Sequence, residues 1–193
     1  VGFASQFDGN AQGLALGSAS SLDMVNHDFT VMLWFKGKEL AKRDNWLLGS
    51  RGDLMLGTCK GAPCFRYPDS FPGADDRPAP FLARTKLSDN AWYHLAVRYY
   101  QAKQKNDIFM SGLLNTTNIT SAQSMGAADL FVGLGEVVID SGWQRQHMAG
   151  YIDEFSIYPT ALPDEEIRGI FLAQARALEE RRSHGFMVDA TPP

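Results

Sequence analysis

Short apolar runs, each closed by glycine, proline, asparagine or aspartate, recur along most of the chain. Phe29-Thr30-Val31-Met32-Leu33-Trp34-Phe35 is rich in β-branched and aromatic residues and stops at Lys36-Gly37-Lys38. Trp46-Leu47-Leu48 halts at Gly49-Ser50-Arg51-Gly52-Asp53 and resumes as Leu54-Met55-Leu56, the pattern of a hairpin. Trp92-Tyr93-His94-Leu95-Ala96-Val97-Arg98-Tyr99-Tyr100 is the strongest strand signal. A polar stretch follows it, then Asp107-Ile108-Phe109-Met110 and a turn at Ser111-Gly112. Leu130-Phe131-Val132-Gly133 and Tyr151-Ile152-Asp153-Glu154-Phe155-Ser156-Ile157-Tyr158 complete the set. Strands at this spacing, with turn signals between them, predict an all-β, two-sheet antiparallel sandwich. Trp34, Trp92, Val97, Phe155 and Ile157 are expected between its sheets.

Two segments break the pattern. Residues 67–80 hold Pro68, Pro72, Pro78 and Pro80 with Asp69, Asp75 and Asp76, and read as a long loop. Near the end, Ile167, Ile170, Phe171, Ala175 and Leu178 recur at helical spacing, which predicts one helix over about 164–182. Asp164, Glu165 and Glu166 suit its first turn and Arg181 and Arg182 its last; Pro163 suits the start and Gly185 the stop. No internal repeat or low-complexity tract is present.

Composition narrows the classes. The chain has 193 residues, of which 45% are hydrophobic, so a packed core is affordable and disorder is excluded. With 18 Lys and Arg against 22 Asp and Glu, there is no electrostatic reason to seek nucleic acid. No apolar run reaches the length of a membrane span. The chain opens Val1-Gly2-Phe3, without an initiator methionine or a signal-like pattern, so a preceding segment has been removed or the chain is an excised piece. Cys59 and Cys64 flank Lys60-Gly61-Ala62-Pro63, where a turn would bring them close enough to bond; two free thiols are the alternative. A disulfide would favour an oxidising compartment, secreted or extracellular, with an organelle reached after presequence removal as the other route.

Five pieces, in order, resemble the concanavalin A-like, laminin-G-like jelly-roll domains. They are Phe7-Asp8-Gly9; Asp28-Phe29-Thr30-Val31 with Leu33-Trp34-Phe35-Lys36; Trp92, His94, Leu95, Ala96 and Val97; Leu130-Phe131-Val132-Gly133; and Gly150-Tyr151-Ile152-Asp153-Glu154-Phe155-Ser156-Ile157-Tyr158 with Ala161-Leu162 and Glu166-Ile167. The resemblance spans about residues 3–172, so 1–172 is expected to be the sandwich and 173–193 the end of the helix and an extended tail. Ser111-Gly112 departs from the family's usual Asp-Gly turn, and the loop at 67–80 is longer than expected. The resemblance also implies that Asp8 and Asp153 can approach each other near the first and last strands, where many members bind calcium. A full set of oxygen ligands cannot be read from sequence, so no metal site and no cofactor is assigned.

The candidate chemistry is sparse. The family's glucanases carry a spaced set of carboxylates that is missing here. Asp153 and Glu154 are adjacent, and neighbours on a strand point to opposite faces. His94 has no Ser, Cys or acid in register and is expected to sit beside the core, hydrogen-bonded locally. Arg51-Gly52-Asp53 spells an adhesion tripeptide, but a tight turn explains the same residues. Asn115-Thr116-Thr117 and Asn118-Ile119-Thr120 are glycosylation sequons, expected in a polar loop. Trp46, Trp143, Tyr67 and Phe71 are expected in turns or loops. Trp143 and Arg145, within Asp140-Ser141-Gly142-Trp143-Gln144-Arg145-Gln146, form a candidate recognition loop. Phe186, Met187 and Val188 in the tail read as apolar anchors for a neighbouring chain. The resulting expectation is a non-catalytic module that docks other chains of an assembly, with glycan binding or adhesion outside the cell as the alternative.

Overall fold

The computed structural model describes residues 4–10, 12–50, 54–66, 81–119, 129–139 and 142–183. In chain order the elements are β1 (Ser5–Asp8), β2 (Leu14–Ser18), β3 (Phe29–Gly37), β4 (Asn45–Gly49), β5 (Met55–Cys59), β6 (Ala62–Arg66), β7 (Phe81–Leu82), β8 (Trp92–Tyr100), β9 (Lys105–Met110), β10 (Leu113–Ile119), β11 (Asp129–Val132), β12 (Leu134–Ile139), β13 (Gly142–His147), β14 (Ala149–Tyr158) and α1 (Asp164–Ser183). They form two six-stranded antiparallel sheets, ordered β1-β14-β3-β8-β9-β10 and β2-β11-β4-β5-β6-β7, plus the hairpin β12–β13. The predicted jelly-roll sandwich with one C-terminal helix is the observed fold.

β3 shows how sequence becomes layers. Phe29, Val31, Leu33 and Phe35 point between the sheets and pack with Leu95, Val97 and Ile108 and, from the second sheet, Leu48, Leu56, Phe65, Leu130 and Val132. The alternate residues Met32 and Trp34 point outward and would meet water but for α1, which lays Ile167 and Phe171 over them. A strand covered on both faces reads as a continuous apolar run, as this one does. Trp34 and Trp92 therefore do not lie between the sheets. Trp34 is buried beneath the helix, its ring 5.7 Å from that of Phe171 and its Nε1 donating to Gln174 Oε1. Trp92 is half-buried against Tyr151. Val97 is in the central core, and Phe155 and Ile157 pack at its margin.

The start of α1 is pinned by ions. Arg98, buried on the outer face of β8, donates to Asp107 Oδ2 at 2.7 Å, to Leu162 O at 2.6 Å and to Asp164 Oδ1 at 2.7 Å. Asp107, fully buried, also accepts from Thr117 Oγ1 and Lys105 Nζ. Burial opposes the charge of both groups. Bonds from Thr117, Arg98 and Lys105 nevertheless hold the Asp107 pKa below its ordinary value, and bonds to Asp107 and Asp164 hold that of Arg98 above.

On the second sheet, the β5–β6 turn is Lys60-Gly61, both with positive φ, the conformation of a two-residue hairpin that follows the strands' twist. Cys59 lies opposite Ala62 and Cys64 opposite Gly57, so both sulfurs share one face; they are bonded, with Cα atoms 5.7 Å apart. Of the four flanked residues only Lys60-Gly61 form the turn, since Ala62 and Pro63 belong to β6. Trp46 is not in a turn but buried in β4, beside Met55 and the disulfide. The hairpin β12–β13 lies against β4, where Gly49 and Gly135 permit backbone contact: a Cβ on Gly49 would come within 2.8 Å of Leu134 O.

Candidate functional site

Three segments far apart in sequence meet at one end of the sandwich: the turn after β1, the connection from β3 to β4, and the junction of β13 with β14. Their side chains line an open cleft of about 500 Å³. The turn after β1 needs Gly9: its φ is +83°, and a Cβ there would stand 2.9 Å from that of Ala149. Asn10 N donates to Asp8 Oδ1 at 2.8 Å, closing the turn. In the β3–β4 connection, the amides of Lys42 and Arg43 donate to Glu39 O, which swings both side chains to this end.

Arg43 ties the segments together. Its Nη2 donates to Gly9 O and to His147 O. Asn45, buried, sits behind it: Nδ2 donates to Arg43 O and Oδ1 accepts from Ala149 N. Gln146 Oε1 accepts from Trp46 Nε1 at 2.8 Å, which aims the Gln146 amide nitrogen away from the sheet. His147 Nδ1 lies 3.0 Å from Gln12 O; a carbonyl only accepts, so Nδ1 is the donor in this bond. Asp44 Oδ1 accepts from Lys60 N.

Arg43 is oriented by two bonds and Gln146, His147 and Asp44 by one each, and all four keep further capacity. Among the described residues, Arg43 Nη1 and Nε, the Gln146 amide nitrogen, His147 Nε2 and Asp44 Oδ2 have no protein partner. All four are partly exposed, so this capacity faces the solvent in the cleft, and oriented donors and acceptors around a concavity suit a polar ligand.

Of the sequence candidates, Arg145 lines this cleft, while Trp143 lies two residues earlier, opposite Val138 in register. Both belong to the strand β13 rather than to a recognition loop, because 134–139 and 142–147 pair as a hairpin. Phe186, Met187 and Val188 lie outside the described residues, as do Tyr67, Phe71, the loop at 67–80 and Arg51-Gly52-Asp53. On either side of that tripeptide, Ser50 N donates to Leu54 O. Asn115 and Asn118 lie in the edge strand β10, not in a loop. Asn115 is engaged on both sides, accepting from Arg84 N and donating to Thr85 Oγ1.

Asp8 and Asp153 do not approach each other. Asp8 pairs with Ala149, which places Asp153 four residues farther along β14, about 13 Å at strand spacing. A bulge between Asp153 and Ser156, with Glu154 at φ +50°, interrupts the simple alternation of faces there. His94 is fully buried between Trp34 and Phe171, but among the described residues neither ring nitrogen has a hydrogen-bond partner, contrary to the local bond expected for it. Burial lowers its pKa from 6.5 to about 4. Arg43, Asn45 and Gln146 were not legible as site residues, because nothing local to positions 43–46 announces the turn at 9 or the strand end at 147.

The family model of the concanavalin A-like lectin/glucanases superfamily matches residues 8–168. A search of curated proteins returned no match. Among solved structures, the chain is similar to the CBM40 of Ruminococcus gnavus IT-sialidase bound to α2,3-sialyllactose, with a TM-score of 0.65 and 12% identity, covering 88% of this chain and 98% of that one. It is similar to a candidate carbohydrate-binding protein of Bacteroides ovatus, with a TM-score of 0.62 and 15% identity over 86% of this chain and 45% of that one. It is also similar to Trypanosoma rangeli sialidase, with a TM-score of 0.63 and 18% identity over 91% of this chain but 28% of the enzyme. The chain thus spans less than half the length of the last two. At these identities the likeness is one of fold.

Proposed function

We propose that this chain, which belongs to the concanavalin A-like lectin/glucanases superfamily, is a carbohydrate-binding module that holds a glycan in the cleft at Arg43 without turning it over. The observation that carries the reading is the set of open, oriented donors and acceptors. A sugar presents hydroxyls that both donate and accept, and Arg43, Gln146, Asp44 and His147 offer both kinds of partner within one concavity. Likeness to a CBM40 structure over nearly its whole length supports the same reading. Glycoside hydrolysis uses two carboxyl groups flanking the scissile bond. Among the described residues lining the cleft, Asp44 is the one carboxylate, which supports binding without turnover. The Cys59–Cys64 disulfide supports placing the module in an oxidising compartment, secreted or extracellular. Docking to other chains of an assembly, the leading expectation from sequence, rested on residues 183–193; the comparisons favour the glycan reading over it.

The test is a glycan array followed by calorimetry on the tightest binder. Gln146→Glu keeps an acceptor for Trp46 but removes the amide donors, and Asp44→Ala removes the free carboxylate oxygen. Each should weaken binding about tenfold, the effect of losing one hydrogen bond, with the melting temperature nearly unchanged. Binding that survives both substitutions, or an array on which nothing binds, would sink the proposal.

A further inference from the structure

We infer that the cleft selects glycans bearing an anionic group, a carboxylate or a sulfate ester, which Arg43 and Lys42 engage; this rests on the glycan reading above. Lys42, Arg43 and Arg145 stand around the cleft against one carboxylate, Asp44, in a chain whose net charge is −4. A cation cluster on an acidic protein is a local feature, and the walls of a concavity focus its field.

Arg43 is the centre of it. No carboxylate among the described residues lies in ion-pair distance of its guanidinium, which is held instead by two backbone carbonyls, those of Gly9 and His147. Carbonyl partners fix its position but leave its charge uncancelled, and Nη1 and Nε still have hydrogens to donate. Lys42 is an exposed neighbour whose ion pair, with Glu39 at 3.6 Å, is of the weak surface kind and easily exchanged. Arg145 is itself engaged, so the anion site rests on Arg43 and Lys42. A neutral sugar would use the donors but leave the charge unanswered, whereas an anionic substituent answers both.

The test titrates the full chain with lactose, 3′-sialyllactose, 3′-sulfolactose and inorganic sulfate, following backbone amide resonances and heats of binding. The inference expects the two anionic sugars to bind at least about tenfold more tightly than lactose, with an advantage that shrinks as salt is raised. Lys42→Gln should remove about tenfold of that advantage and leave lactose binding unchanged, whereas Arg43→Gln should weaken lactose and weaken the anionic sugars about tenfold more. Lys42→Gln secures the result if Arg43→Gln disturbs the turn, since the Lys42 side chain is 78% exposed. Equal affinity for lactose and its anionic derivatives would overturn the inference and leave the glycan reading standing. Sulfate shifting the amides of residues 9, 43 and 147 while no sugar binds would support the anion site and overturn the glycan reading. No response to any of the four probes would overturn both.

Discussion

Acidification should loosen α1 from the sandwich through a single imidazole. His94 lies on the outer face of β8 with no exposed surface, between the rings of Trp34 and Phe171 and with no partner for either nitrogen among the described residues. Burial therefore lowers its pKa to about 4, while in the unfolded chain it titrates near the ordinary 6.5. A depressed histidine is neutral in the fold, so the unfolded chain takes up the proton first. The associated stability is fully present above pH 6.5 and is lost as pH falls towards 4. At about 1.36 kcal/mol per pH unit the full difference is about 3 kcal/mol, of which about 2.5 kcal/mol is lost between about pH 7.5 and 4.5. Urea unfolding at those two pH values measures it, with His94→Leu as the control: leucine fills similar space and does not titrate. Wild type should lose about 2.5 kcal/mol more than the variant over that interval. Equal losses in the two proteins would show that His94 takes up its proton in the folded state without penalty.

Asp107→Ala should cost about 3–5 kcal/mol in urea unfolding, because it strands the buried Arg98; Asp164→Ala, at the exposed end of the same cluster, should cost about 1 kcal/mol or less. Trp34→Ala should cost about 3–5 kcal/mol and Trp92→Ala roughly half that, since only the first is buried beneath the helix; equal costs would contradict the layer assignment. Intact mass of the non-reduced protein should be about 2 Da below that of the reduced chain, and replacing both cysteines by serine should cost about 2 kcal/mol, as expected for so short a loop.

The strands were legible because their sequence pattern and their burial have one cause. β3, β8 and β14 are apolar runs bounded by turn residues, and they are the three adjacent central strands of the first sheet. The same feature hid which face is which. A strand buried on both sides has no polar face to orient it, so Trp34 and Trp92 read as inter-sheet core when one packs under a helix and the other at a margin. The hairpin β12–β13 was missed because Gln144, Arg145, Gln146 and His147 look like loop residues; their strand conformation comes from pairing with 134–137 and from the close approach that Gly49 and Gly135 allow. Arg145 was singled out from its polar neighbourhood, but the cleft it borders was not. Arg43 reaches it by bonding carbonyls at positions 9 and 147, and contacts of that span are set by sheet topology, not by local pattern.

The central claim is that the open donors and acceptors beside Arg43 form the ligand site. A crystal structure of the chain with its tightest array ligand tests it most directly. A sugar should sit in the cleft, with hydroxyl or acidic oxygens about 2.7–3.2 Å from Arg43 Nη1 or Nε and from the Gln146 amide nitrogen. A sugar bound elsewhere, on the exposed edge of β10 or against the outer face of the helix, with the cleft empty of it, would rule the cleft out as the ligand site.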